Sequence, residues 1–310
     1  MIVRTLRVVG ALAFSLAALT AVTRSAKPAP KPPQWLYVSD STKTIRVYKL
    51  PLSKSPHAAA VLSAPGNGPG YGMAVDRYGR VYVAEANADL IGVFAPNRKT
   101  GRLVEMAAIQ TAKPAYDVAV DAVGNLYAAE PSGNNIEVFK APIKSSSAAA
   151  FNITADIEAP YGLAFGPNGD LFVCNDRSVM KYAPPFGAST QSAGTIAVAA
   201  QSQPAFGQGI GVDMRGAVFF GYGTHVQVTK PPYAHNAVSL YGFDLPPHAS
   251  IMYVAFDGMS DFYVAAQFGS GSPRNGVYEF KAPLSSGKTN AVVGFIPLDQ
   301  ATGVAVAPRP

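Results

Sequence analysis

A passage of sequence recurs along this chain with a period of 45 residues. Residues 71–97 read YGMAVDRYGRVYVAEANADLIGVFAPN, residues 116–142 read YDVAVDAVGNLYAAEPSGNNIEVFKAP, and residues 161–184 read YGLAFGPNGDLFVCNDRSVMKYAP. The leading tyrosines lie 116 − 71 = 45 and 161 − 116 = 45 residues apart. Each copy holds three short runs rich in β-branched or aromatic residues, bounded by Gly, Asn, Asp or Pro, the pattern of strands joined by tight turns. A fixed period of roughly 20–50 residues marks a repeat architecture and decides the fold before any other feature does.

The ends of the chain complete the pattern. Residues 35–51, WLYVSDSTKTIRVYKLP, match the second and third strands of a copy, and no first strand precedes them. Residues 301–308, ATGVAVAP, read as a first strand with nothing after it. Between them lie the three full copies, a degenerate one at 209–232, and a fifth starting near Ile251 whose second turn, 267–275, is longer. Outer fourth strands are expected near 57–65, 103–110, 149–155, 195–200 and 290–297. Joining the last strand to the first ones removes two unpaired edges. The expected fold is therefore all-β: a six-bladed β-propeller of four-stranded antiparallel blades over 34–310, closed by the C-terminal strand joining the N-terminal blade. Six blades of about 45 residues need about 270, near the 310 − 33 = 277 available.

Residues 1–26 hold Arg4 and Arg7, then an apolar run from Val8 to Val22, the layout of a secretory signal peptide. That run is shorter than the ~20 residues of a spanning helix. Export to the periplasm or the extracellular space follows as an expectation, with no stable membrane span in the mature chain. Residues 27–33, KPAPKPP, form an extended Pro-rich linker. Arg4, Arg7 and Arg24 supply half of the formal charge of +6, leaving 6 − 3 = +3, and no run of lysines or arginines stands in the body. Nucleic acid is not an expected partner on that count. Cys174 is the only cysteine and reads as a small buried strand residue.

The repeated motif resembles the NHL-repeat family: a Gly-apolar-Ala-Val-Asp strand, a Gly turn, an apolar-Tyr-Val-Ala-acid strand, then Ile-x-Val-Phe. It is also similar to exported six-bladed propellers such as virginiamycin B lyase and the gluconolactonases. The resemblance implies a propeller with one functional face. It leaves activity open, because this fold hosts binding proteins, lyases and lactonases. In the lactonase-type relatives the metal is held at the axis by acid and amide side chains. Here the axial positions read Tyr, Gly or Thr, with only Asp117 acidic. In the lyase a histidine and acids act with a metal, and no matching His–acid motif stands in this chain.

The repeat also sorts the polar residues. Asp76, Asp121, Asp213 and Asp257 recur before a Gly turn, where a carboxylate accepts backbone N–H bonds. Asp40, Glu85, Glu130 and Asn175 recur at the end of the second strand and read as blade braces. Tyr71, Tyr116, Tyr161, Gly209, Tyr253 and Thr302 are expected to ring the axis, and four tyrosines there suit a planar or sugar-like ligand. Departures from the repeat mark the same face: Asp117 in place of Gly, Tyr222 and His225 in the degenerate copy, and Arg274 in the long turn. The expected function is binding of a small molecule, glycan or protein at Tyr71, Tyr116, Asp117, Tyr161, Tyr222, His225, Tyr253 and Arg274, without a cofactor. The alternative is a metal-dependent lyase or lactone hydrolase using Asp117 and His225, with Ca²⁺ or Mg²⁺ polarising a carbonyl or a bound water.

Overall fold

In the copies that begin at Tyr71 and Tyr116 the first strand stops where an aspartate folds the chain back on itself, while the copy at Tyr161 has Gly166 there. Asp76 Oδ1 accepts the N–H groups of Tyr78 and Arg80 at 2.9 Å each, and Gly79 takes φ 75°, a left-handed conformation that costs glycine little. Asp121 does the same for Val123, Gly124 and Asn125. The second strands, Val81–Glu85 and Leu126–Glu130, are buried at every residue. Alternate side chains of a strand face opposite ways, so full burial means both faces of the sheet are covered.

The computed structural model describes residues 34–63, 71–97, 102–198, 209–222, 225–233, 242–243, 249–257, 261–269, 271–284 and 289–307. The signal peptide expected at 1–26 and the linker expected at 27–33 lie outside the described residues. The chain forms an all-β propeller of six blades. Blade 1 pairs Gln34–Asp40 with Thr44–Leu50, adds Ala60–Ser63 outside, and takes Ala301–Val306 as its innermost strand. Tyr37 opposes Ala305 and Val38 opposes Val304, which is the ring closure expected from the sequence. Blade 2 runs Met73–Val75, Val81–Glu85, Leu90–Pro96 and Leu103–Gln110, and blades 3 and 4 repeat it, ending on the outer strands Phe151–Ile153 and Ser192–Val198. Blade 5 shows three strands among the described residues, Ile210–Val212, Val218–Tyr222 and His225–Thr229. Blade 6 ends on Val292–Pro297. Beside these antiparallel blades, Gly242–Phe243 pairs in parallel with Thr289–Asn290, a short link that the repeat did not announce.

Six apolar clusters fill the six gaps between neighbouring blades. Tyr82, Ile91 and Val93 of blade 2 pack on Val118, Leu126 and Phe139 of blade 3. At the closure, Leu36, Val38 and Val304 of blade 1 pack on Tyr263, Val277 and Ile296 of blade 6. The core is thus a ring rather than a centre, and the axis is left to the residues that begin the innermost strands.

Candidate axial ligand site

Tyr71, Tyr116 and Tyr161 each start an innermost strand by the same bond. Their N–H groups donate to the carbonyls of Ala84, Ala129 and Cys174 at 2.8–2.9 Å. Identical backbone settings in three adjacent blades carry the rings to one place. Tyr71 and Tyr116 have ring centroids 5.0 Å apart, and Tyr116 and Tyr161 5.6 Å apart in an edge-on arrangement. All three are half-buried, so each keeps part of its ring open. Burial raises the Tyr71 and Tyr161 hydroxyls above the usual tyrosine value, and the neighbouring Tyr116 adds to both. The carboxylate of Asp176 also lifts Tyr161, which puts a half-exposed acid beside the ladder. Arg177 lies 3.6 Å from that acid.

Below the ladder the axis is closed by Asp117 and Tyr253, 4% and 3% exposed. Asp117 Oδ1 accepts its neighbour Val118 N–H, and Oδ2 accepts Leu163 N–H of blade 4, both at 2.8 Å. Burial drives this carboxyl well above the carboxylate range, and the two N–H bonds oppose it. Gly72 makes the room: a Cβ there would stand 1.8 Å from Asp117 Oδ1. Across the ring, the Tyr253 hydroxyl donates to the Tyr116 carbonyl at 2.6 Å, an oxygen that also accepts Gly72 N–H at 2.9 Å. Burial raises that hydroxyl well above its ordinary value, and Asp117 adds to the rise.

Tyr253 therefore sits one step deeper than the sequence suggested. It stands four residues before its turn aspartate, Asp257, as Asp117 stands before Asp121. The ladder tyrosines in blades 2 and 3 stand five before theirs. Gly209 likewise matches Gly72, and a Cβ on it would meet Tyr253 Cα at 2.7 Å. Tyr71, Tyr116, Tyr161, Tyr253 and Asp117 are thus brought together, three as a mouth and two as its floor. Arg274 is exposed in the long turn, and the contacts described for its backbone stay within its own blade: its N–H donates to Ser272 and its carbonyl accepts from Tyr278. Tyr222 and His225 are paired across the turn of blade 5, and their side chains lie outside the description.

Of the residues that end the second strands, Asp40, Glu130 and Asn175 are engaged by the blades. Asp40 accepts Thr42 and Thr44 N–H and the Arg46 guanidinium at 3.0 Å. Asn175 donates to the Asp156 carbonyl. Glu130 accepts Lys113 N–H at 3.0 Å. One partner of Glu130 was not legible in advance. Glu137 accepts Ala112 N–H at 3.2 Å and comes within hydrogen-bonding reach of Glu130. Both are buried, at 0% and 6% exposure, and burial together with Glu130 pushes Glu137 up to about 7. Blade 1 has an ion pair, Asp40–Arg46, in the corresponding place. Among the described residues no group of three or more His, Cys, Asp or Glu is disposed to hold a metal ion.

No protein-family profile matches the chain, and no curated protein matches it in sequence. Solved structures do share its fold. A chain of a nidogen/laminin complex superposes with a TM-score of 0.63 at 14% identity, over 89% of this chain and 98% of that one. A catalytically inactive virginiamycin B lyase from Staphylococcus aureus with quinupristin gives 0.52 at 12% identity, over 85% and 84%. A protein provisionally named a gluconolactonase gives 0.51 at 16%, over 84% and 92%. These likenesses establish the six-bladed propeller. They do not carry the NHL name, which the sequence motif suggested.

Proposed function

We propose that this chain is an exported binding protein that takes a planar or sugar-like ligand at the axial mouth formed by Tyr71, Tyr116 and Tyr161. The observation that carries the reading is the half-buried ladder of three rings over a closed floor. Ring faces supply apolar contact, and hydroxyl tips with the Asp176 carboxylate accept hydrogen bonds from hydroxyl groups of a ligand. Asp117, whose two oxygens both accept backbone N–H bonds, serves as floor. Export rests on the leader read in residues 1–26.

The test is a calorimetric titration with a panel of mono- and disaccharides and aromatic carboxylates, with and without Ca²⁺ or Mg²⁺. A ligand from the panel should bind, and Tyr116→Ala, which removes the middle ring, should weaken it about tenfold. Binding that ignores Tyr116, or a panel with no binder, sinks the reading. Turnover that needs an added divalent cation replaces it with the lyase or lactonase alternative. N-terminal sequencing of the protein recovered from an expressing cell checks export: an intact Met1 in the cytosol counts against it.

A further inference from the structure

The mouth is at one end of the blades, and a second set of side chains gathers at the other. In each sheet the end of the first strand, the start of the second and the end of the third lie in one row. Val75, Val81 and Phe94 oppose one another in blade 2, Val120, Leu126 and Phe139 in blade 3, and Phe256, Phe262 and Phe280 in blade 6. The turns 76–80, 121–125 and 213–217, the residues Asp257 and Asp261, and the described residues after each third strand therefore share the face opposite the tyrosines. Lysines dispersed through the sequence converge on it. Lys49, Arg77, Lys140, Lys144, Arg215 and Lys230 are all exposed there.

The carboxylates of this face are turned inward. Asp76, Asp257, Asp261 and Glu279 are buried, and the half-buried Asp121, Asp170 and Asp213 are held by turn N–H groups or, for Asp170, by Lys181 at 2.9 Å. Glu105, on the outer strand of blade 2 near this end, is an exposed acid. The face is thus acid inside and basic outside. Between the cations stand exposed apolar tips: Tyr78 at 62%, Val123 at 67% and Met214 at 67%. Arg77 lies over the Tyr78 ring at 4.8 Å. A cleft of about 620 Å³ opens between blades 5 and 6, with Phe219, Phe256 and Pro283 on its walls and Arg215 and Lys230 at its lining.

We infer that this turn face docks the propeller onto an anionic lipid surface. Exposed cations attract acidic headgroups, and each adds an increment that salt weakens. Tyrosine and methionine tips suit the headgroup boundary, where an apolar body and a polar neighbour are both accommodated. An apolar-walled cleft with cations beside it fits an amphiphile, which has an acidic head and an apolar tail. A soluble polyanion would use the cations and leave the tips and walls in water. The docking leaves the tyrosine mouth pointing away from the surface, and it stands whether or not a ligand is found there.

Co-sedimentation of the full chain with vesicles tests this, using phosphatidylcholine alone against phosphatidylcholine carrying about 30% phosphatidylglycerol. Binding should need the acidic lipid and fall between about 50 and 300 mM salt. Lys140→Glu with Lys144→Glu should weaken it at least about 25-fold, taking about fivefold per cation removed, while Lys140→Arg with Lys144→Arg retains it. Lys113→Glu with Arg177→Glu, on the mouth face, should change it less than about twofold. Tyr78→Ser with Met214→Ser should cost about tenfold even at the higher salt. Binding indifferent to phosphatidylglycerol, or equal loss from the two charge reversals, overturns the proposal. So does polyphosphate binding as tightly as vesicles with no effect of the Tyr78 and Met214 changes, which assigns the face to a polyelectrolyte.

Discussion

Both ends of the ring bury carboxylates, yet the two faces differ in what they leave outside. On the mouth face, Asp117, Glu130 and Glu137 are buried against backbone N–H groups, and the exposed cations Lys113, Arg177 and Arg274 share the face with Asp89, Glu158, Asp176 and Asp299, of which Asp176 lies 3.6 Å from Arg177. On the turn face, acids fold into tight turns or pair with Arg80, Lys181 and Lys281, while Lys49, Arg77, Lys140, Lys144 and Arg215 stay exposed. The same residue type, an acid at a strand end, closes an axis at one face and folds a turn at the other. The mouth face should thus be dominated by packing, and the turn face by charge.

The largest effect expected on this comparison is at the floor of the mouth. Gly72→Ala places a methyl group against Asp117 and should cost about 3 kcal/mol, the upper end for over-packing. Glycine conformation is not the cause, because Gly72 is not among the positive-φ residues. In an Asp117→Gly background the carboxyl is gone but the new Cβ still stands 2.8 Å from the residue-117 Cα, so the same change should still cost about 2 kcal/mol and the double-mutant cycle reads a coupling of about 1 kcal/mol by urea denaturation. Equal costs in the two backgrounds would dissolve the packing account.

Next in size is the response to pH. Glu137 has its proton held in the folded state, with a value of about 7 against 4.5 ordinarily. The folded protein therefore binds more protons than the unfolded chain between those values. Its contribution is fully present below about pH 4.5 and is lost as pH rises through about 7. Wild type should lose on the order of 2 kcal/mol over that range relative to Glu137→Gln, whose amide cannot titrate. Denaturation curves at pH 5 and pH 8 for both proteins measure it, and parallel profiles would remove the pair from the account. A smaller loss, about 1 kcal/mol, should follow Tyr253→Phe, because the Tyr116 carbonyl retains its bond from Gly72.

The fold was legible because the repeat writes each blade out again, and the incomplete ends at Gln34 and Val306 announce closure. The three-ring ladder followed from the same register. Tyr253 was misplaced by one step although the spacing was there to read: it stands four residues before Asp257, where Tyr71 and Tyr116 stand five before Asp76 and Asp121. Glu137 escaped because nothing in IEVF shows that its carboxyl turns back toward Glu130 across a turn. The basic face escaped for a different reason. Lys49, Lys140 and Lys230 stand dozens of residues apart, so no run appears in the sequence. Their shared place in the repeat, just before or at the proline that follows the third strand, was the available signal.

The smallest expected effect on stability sharpens the contrast most. Lys140→Glu with Lys144→Glu lowers the formal charge from +6 to 6 − 4 = +2. Lys144 is exposed, and the described side-chain contact of Lys140 is its ammonium 5.1 Å above the Phe151 ring. Exposed substitutions of this kind stay within about 0.5 kcal/mol, and a surface cation–π contact adds about as much again. The pair should therefore unfold within about 1 kcal/mol of wild type in urea. Gly72→Ala, which changes no charge, should cost about three times that. If the charge reversal unfolded the protein as strongly as the methyl group, the turn-face lysines would be part of the architecture. If it does not, Lys140 and Lys144 take no part in holding the blades together, which is what the lipid-docking proposal requires of them.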